Sequence, residues 1–268
     1  MDGRNEARRI TIHAPQDFAG MRAAGRLAAQ TLDMIGAHVR PGVTTEALDR
    51  ICHDYILANG AVPSPLNYRG YPKSVCISIN HVVCHGIPGE RVLETGDILN
   101  IDVTVTLDGW FGDSSRMYCA GAPSTKARNL IEVTHESLMR GIAAVKPGGR
   151  FGDIGHAIQS YVESQRFSVV RDFCGHGIGR IFHAPPNVLH FGRPGEGAVL
   201  EPGMFFTIEP MVNAGRADVK VLDDGWTAVT RDRSLSAQFE HMVAVTETGV
   251  EVFTLSPEGV FKPPYPEA

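Results

Sequence analysis

The chain has no uninterrupted apolar stretch approaching the ~18 residues of a membrane-spanning helix, so no such span is expected. Its first residues, Met1 to Arg9, are polar and charged, unlike the hydrophobic region of an export signal. Basic residues are scattered, with no run beyond Arg8-Arg9. With a formal net charge of -5 and no recognisable RNA- or DNA-binding motif, a nucleic-acid partner is not expected. Cysteine is sparse: Cys52, Cys76, Cys84, Cys119 and Cys174 are odd in number, widely spaced and free of any C-x-x-C pattern. Free thiols in a reducing cytoplasm fit that usage better than a structural zinc.

What is present is an ordinary soluble composition, 43% hydrophobic and 21% charged over 268 residues, enough for one large domain or two small ones. The chain also repeats itself. Val92-Leu93-Glu94-Thr95-Gly96 leads to Ile101-Asp102, and Val199-Leu200-Glu201-Pro202-Gly203 leads to Ile208-Glu209 at the same internal spacing. Val39-Arg40-Pro41-Gly42 recurs as Val145-Lys146-Pro147-Gly148, followed at matching distances by Leu48 and Tyr55 or by Ile154 and Tyr161. Pro88-Gly89-Glu90 is echoed by Pro194-Gly195-Glu196. One such match is chance; several in the same order mark two related halves, approximately 12–122 and 123–255, in a single catalytic domain with a short polar N-terminal tail and a proline-rich C-terminal one.

Each half reads as helix, helix, then strands. Over 17–38, Met21, Ala24, Leu27, Ala28, Thr31, Leu32 and Ile35 keep helical spacing, and Pro41-Gly42 stops the run. Thr44 is a candidate cap for a second helix through Leu48, Ile51, Tyr55 and Ile56. The second half repeats this with Leu130, Val133, Leu138 and Ile142, then Ile154, Ile158 and Val162. β-rich runs follow at 74–84, 97–106, 114–119, 204–212, 226–231 and 237–246. Antiparallel sheet covered by helices, repeated about a pseudo-two-fold axis, is an α+β fold.

Both repeated strands close on a carboxylate, Asp102 or Glu209, and a second acid follows each, Asp113 or Glu240. An acid ending an apolar strand is costly unless something neutralises it. Leu107-Asp108-Gly109 supplies a turn, so Asp102 and Asp113 sit on neighbouring strands of one hairpin. The longer Glu209 to Glu240 connection carries an insertion with Asp223-Asp224-Gly225-Trp226, which either brings Trp226 to the site or decorates a surface turn. His176 lies between glycines in Cys174-Gly175-His176-Gly177-Ile178-Gly179, where a ring nitrogen can reach a metal. This stretch does not complete G-x-G-x-x-G, and no Lys-Ser/Thr follows, which disfavours a nucleotide loop. Four carboxylates and a neutral imidazole are balanced by two divalent cations. Oxygen-rich ligation with one nitrogen favours manganese or iron(II), with cobalt suited in vitro. Two such ions about 3.5 Å apart share a hydroxide and polarise a carbonyl, which is hydrolysis chemistry.

Asn100-Ile101-Asp102, Gly112-Asp113-Ser114, Cys174 to Gly179, Thr207-Ile208-Glu209-Pro210 and Phe239-Glu240-His241 resemble the ligand segments of type I methionine aminopeptidases, dinuclear metallohydrolases with the pita-bread fold. Val83-Cys84-His85-Gly86-Ile87-Pro88 and Tyr68-Arg69-Gly70-Tyr71-Pro72-Lys73-Ser74 resemble further segments of that family. The resemblance implies that Asp102, Asp113, His176, Glu209 and Glu240 hold two divalent ions (Mn2+, Fe2+ or Co2+, in both sites or in one tight site), with Asp113 and Glu240 bridging. It implies that His85 and His183 contact substrate and the tetrahedral intermediate, that Glu209 shuttles protons, and that Tyr68, Tyr71, Cys76, Phe182 and Trp226 shape a methionine pocket. Soft, polarizable thioether sulfur suits aromatic and thiol walls. The implied reaction is removal of the initiator methionine before a small second residue, by metal-bound hydroxide attack on the first peptide bond. The implied setting is a cytoplasmic monomer acting on nascent N-termini, with transient ribosome contact.

Rival readings are weaker. Adjacent strand residues point to opposite faces, so Cys84 and His85 do not form a cysteine-protease dyad. Cys76 and Cys84 alone would pass for small core residues, Trp226 for a turn-packing one, and His190 and His241 for structural histidines. Proline-directed relatives usually carry a separate N-terminal domain, whereas the first helix here begins close to Met1; a type II enzyme would need a large insertion in the second half; and non-catalytic relatives lose ligands that this chain keeps. His81 departs from the acidic or amide residue common at that place, and Phe239 from a common tyrosine.

Overall fold

A computed structural model describes residues 10–263. The charged residues at the N-terminus and the last residues of the proline-rich tail lie outside the described region. In the first half, helices α1 (Asp17–Gly36) and α2 (Thr45–Ala58) precede strands β1 (Val62–Pro63), β2 (Cys76–Ile79) and β3 (Val82–Cys84). The long strands β4 (Ile98–Leu107) and β5 (Trp110–Cys119) complete it. The second half repeats the order with α3 (Thr125–Ala143), α4 (Phe151–Ser164), β6 (Ser168–Val169), β7 (Gly175–Gly177), β8 (Ala184–Val188), β9 (Phe205–Ile208) and β10 (Met211–Asn213). A hairpin of β11 (Val219–Val221) and β12 (Ala228–Thr230) is inserted before β13 (Ser236–Gln238), β14 (His241–Val245) and β15 (Val250–Val252).

The helices follow the apolar spacing. α1 buries Met21, Ala24, Leu27, Ala28, Leu32 and Ile35 and ends at Gly36, two residues before the expected limit. Thr44 caps α2 by accepting from the Ala47 N–H at 3.2 Å, and Ser124 caps α3 through Ala127 in the same way. Matching contacts tie each helix pair to its sheet. The Gly42 N–H donates to Leu93 O at 2.8 Å, and the Gly148 N–H to Leu200 O at 2.9 Å. Thr44 bridges Val92, and Arg150 bridges Val199. β1 pairs with β4 and β6 with β10, both antiparallel. The repeated residues of the sequence are thus the joints at which helix layer and sheet meet.

Each half is centred on an apolar core, and the second core also takes in Ile98 and Met117 of the first half. Leu32, Ile35, Leu48, Ile56, Ile101 and Val103 fill the first, and Leu130, Leu138, Ile154, Ile158, Phe206 and Ile208 the second. Burying each such side chain contributes about 1.5–3 kcal/mol. Every strand that joins a sheet pairs antiparallel. The expected runs 74–84, 204–212 and 237–246 are each broken into two strands, β5 begins early at Trp110, and β12 covers only Ala228–Thr230. β5 starts early because Asp108 (φ 51°) and Gly109 (φ 78°) make a two-residue turn with both residues left-handed, so pairing resumes at once between Leu107 and Trp110.

Candidate metal centre

The β4–β5 register sets Thr104 opposite Asp113 and Asp102 opposite Ser115. Side chains two apart on a strand share a face, so Asp102, Thr104 and Asp113 face the same way, with the two acids diagonal neighbours. Thr104 Oγ1 donates to Asp113 Oδ1 at 2.7 Å. In the other half, β9 pairs with β14 with Ile208 opposite His241, and β10 pairs with β13 with Met211 opposite Gln238, so Glu209 and Glu240 lie between two pairings of one register.

The hairpins are joined where the acids lie. The Glu240 N–H donates to Ser115 O at 3.1 Å, Ser114 Oγ donates to Glu240 O at 2.8 Å, and Asn100 Nδ2 donates to Gln238 O at 2.8 Å. His176 enters from β7. Its N–H donates to Thr207 Oγ1 at 3.0 Å, and that hydroxyl donates to Glu209 Oε1 at 2.8 Å. His176 Nδ1 lies 3.1 Å from Gly177 O, leaving Nε2 for the acids, 3.5 Å from Asp113 Oδ2 and 3.7 Å from Glu209 Oε1. The flanking glycines permit this approach: a Cβ on Gly177 would lie 2.1 Å from Pro185 O, and one on Gly175 2.4 Å from Thr207 O.

Asp113, His176 and Glu240 offer ligand atoms that all lie within 4.8 Å of one another, and all three are buried. Asp102 and Glu209 flank them and stay partly open. Burial, with repulsion from the neighbouring carboxylates, pushes Asp102 and Glu240 well above the usual carboxylate range. Burial pushes Glu209 up to about 7, against the opposing pull of His176. Burial disfavours a charged His176, yet Asp113 and Glu209 outweigh it and raise the imidazole. Acids raised by one another at a buried spot fit cations, and the donor set of carboxylate oxygens with one imidazole fits divalent ones.

An aromatic wall borders the acids. Tyr68 Oη lies 3.0 Å from His183 Nδ1, and the His183 ring packs on Phe182 at 4.0 Å and on His176 at 4.2 Å between centroids. His183 sits below the ordinary imidazole range through burial first and His176 second. Trp226 meets Tyr71 edge-on at 5.2 Å and His85 at 6.0 Å. The inserted hairpin therefore brings Trp226 to this wall, while its turn is held by Asp224 accepting from the Trp226 N–H at 2.9 Å. Tyr71 is buried with its hydroxyl committed to Gly86 O at 2.9 Å. Cys76 is buried opposite Asp102 in the β2–β4 pairing.

Thr104, Thr207, Phe111 and Phe173, not assigned to the site from the sequence, also belong here, as does His190, which read as structural. Phe111 stacks on Phe182 at 5.3 Å, and Phe173 meets His85 edge-on at 5.5 Å. The two threonines had a legible signal, since each lies two residues from an acid on a strand and so shares its face.

Acids on two antiparallel hairpins, a glycine-flanked imidazole and an aromatic wall are the layout of a metal-dependent hydrolase. The model of Metallopeptidase family M24 matches residues 19–247. A methionine aminopeptidase of Rickettsia prowazekii is 58% identical over 257 residues, covering 96% of this chain and 99% of that protein. One of Escherichia coli K12 is 55% identical over 248 residues, covering 92% of this chain and 94% of its own length. The crystal structure of the Rickettsia prowazekii enzyme superimposes with a TM-score of 0.91 at 59% identity, over 92% of this chain and 100% of that one. This chain belongs to metallopeptidase family M24, with the pita-bread fold, and to its methionine aminopeptidase branch. It is an aminopeptidase that uses divalent metal.

Proposed function

We propose that this single catalytic domain removes the initiator methionine from nascent chains and peptides whose second residue is small. The observation that carries the reading is the abutment of the Asp113–His176–Glu240 cluster and the Tyr68–His183–Phe182 wall through the His176–His183 contact. Asp102, Asp113, His176, Glu209 and Glu240 would hold two divalent ions, the buried Asp113, His176 and Glu240 forming the centre of that set. Their oxygen-rich character supports Mn2+ or Fe2+ in the cell and Co2+ in vitro, in both positions or in one tight one. Bound there, such ions supply Lewis acidity and an activated water.

The protein's own groups do the rest. His85 and His183 stand on the substrate side and are neutral, each lowered first by burial, so each has a ring N–H to offer a peptide carbonyl. In the tautomer that accepts from Tyr68 Oη at Nδ1, His183 presents its proton at Nε2 to the negative charge that develops on the carbonyl oxygen. Glu209, partly open beside the buried cluster, moves a proton between the attacking water and the leaving amine. Tyr71, Cys76, Trp226, Tyr68 and Phe182 enclose an unbranched thioether, and the tight aromatic mouth selects a small second residue.

No helix among the described residues is long and apolar enough to cross a membrane. The free thiols of all five cysteines fit a reducing compartment, and we place the enzyme in the cytoplasm as a monomer that meets nascent N-termini in transient contact with the ribosome. The test of specificity compares Met-Gly-Met-Met, Pro-Gly-Met-Met and an X-Pro peptide with metal present. Methionine release from the first alone is expected; cleavage of the X-Pro peptide instead would move the chain to the proline-directed peptidases.

A further inference from the structure

Glu209 sits where the sheet stops supporting it. β9 ends at Ile208, and Pro210 follows with no N–H of its own. The Glu209 N–H would be a buried donor beyond the ladder, and such donors need a partner. It donates instead to Nε2 of His190 at 3.0 Å. His190 is fully buried and stands two residues past the end of β8, so it reaches Glu209 around the end of β7, the strand between β8 and β9.

The direction of this bond fixes the ring. Nε2 accepts, so a neutral His190 carries its proton on Nδ1, and no acceptor among the described residues meets Nδ1. The tautomer is therefore set by the Glu209 amide. The ring's own main chain is braced from behind by α4. A Cβ on Gly155 would lie 2.4 Å from Phe191 O and 2.9 Å from Leu189 O, and Gln159 Oε1 accepts from the Gly192 N–H at 3.1 Å. Helix, imidazole and Glu209 backbone form one rigid line, while Thr207 fixes the carboxylate at its other end.

We propose that His190 is a positioning residue for Glu209, holding its main chain through a fixed Nδ1–H tautomer so that the carboxylate serves both metal and proton transfer. The inference rests on the role proposed for Glu209. Groups that orient a metal ligand without touching the ion are typically worth about 10–100-fold in metal affinity or activity.

The experiment pairs a spectroscopic readout with two variants in the full chain. Two-bond 1H–15N correlation of the histidine rings in the metal-free protein should show His190 protonated at Nδ1 and bare at Nε2. His190→Leu removes the acceptor and should lower kcat for Met-Gly-Met-Met by about 10–100-fold with KM within about twofold, and weaken Mn2+ binding by calorimetry. His190→Gln returns an acceptor oxygen and should recover most of the lost kcat. A ring protonated at Nε2, or a His190→Leu protein with wild-type kcat and Mn2+ affinity, overturns the proposal. Should the leucine variant fail to fold, the ring spectrum and the glutamine variant still decide it. A wild-type protein that releases no methionine would sink the functional reading alone, since the tautomer and the Mn2+ affinities remain measurable.

Discussion

The Glu240 N–H donates to Ser115 O at 3.1 Å and, with Ser114 Oγ donating back to Glu240 O, ties the closing hairpin of the second half to that of the first. Ser115 lies two residues from Asp113 on β5, so the bond carries the Glu240 carboxylate to the Asp113 face. The candidate metal cluster of Asp113, His176 and Glu240 is a consequence of how the two halves dock.

Thr104 gives the most local prediction. Thr104→Val keeps the side-chain shape, removes the donor to Asp113 Oδ1 and leaves the surrounding core in place. Mn2+ affinity, read by calorimetry on stripped protein, should fall about tenfold with little change in Tm.

Tyr68 tests the role assigned to His183. Tyr68→Phe removes the hydroxyl that lies 3.0 Å from His183 Nδ1 and keeps the ring. We expect kcat to fall about tenfold. The same change made on a His183→Ala background should cost nothing further, because interacting groups are non-additive. Equal losses in both backgrounds would show that the hydroxyl acts without His183.

Gly177→Ala probes the backbone approach at the centre. The new Cβ would meet Pro185 O at 2.1 Å, a backbone atom that cannot swing aside. The variant should be about 3 kcal/mol less stable or fail to fold, measured by denaturant unfolding.

Metal removal should make stability depend on pH in a defined direction. Asp102, Glu240 and Glu209 are raised in the fold, Glu209 to about 7, above their values in the unfolded chain. The metal-free fold therefore holds more protons than the unfolded chain between the usual carboxylate range and about 7, and these groups cost it stability as pH rises through that window. Divalent metal offsets the ionised acids, so the gain in Tm on adding Mn2+ should grow over the same interval. A gain that does not vary with pH would contradict this.

Much of this was legible in the sequence, for reasons that are physical. The duplicated segments exposed Asp102 and Glu209, with Asp113 and Glu240 as the next acids along, although Asp102 proves to lie inside β4 rather than at its end. The helices were readable because α1 and α3 each bury one stripe of apolar residues. The strands that carry and brace His176 were not legible. β7 is Gly-His-Gly and β8 contains Pro185 and Pro186, residue types that disfavour strands, and only the surrounding sheet makes them extended. His190 read as an ordinary structural histidine because its bond to Glu209 spans two strands that the sequence does not reveal.

The central claim is that divalent metal held by these five side chains drives methionine release. The most direct measurement is methionine liberated from Met-Gly-Met-Met by metal-stripped protein, before and after Mn2+, Fe2+ or Co2+ is added, with Asp113→Asn alongside. The account predicts no release without metal, release restored by at least one of these ions, and a loss of at least about 100-fold in the variant. Release that persists in the stripped protein, or that survives intact in Asp113→Asn, would contradict it.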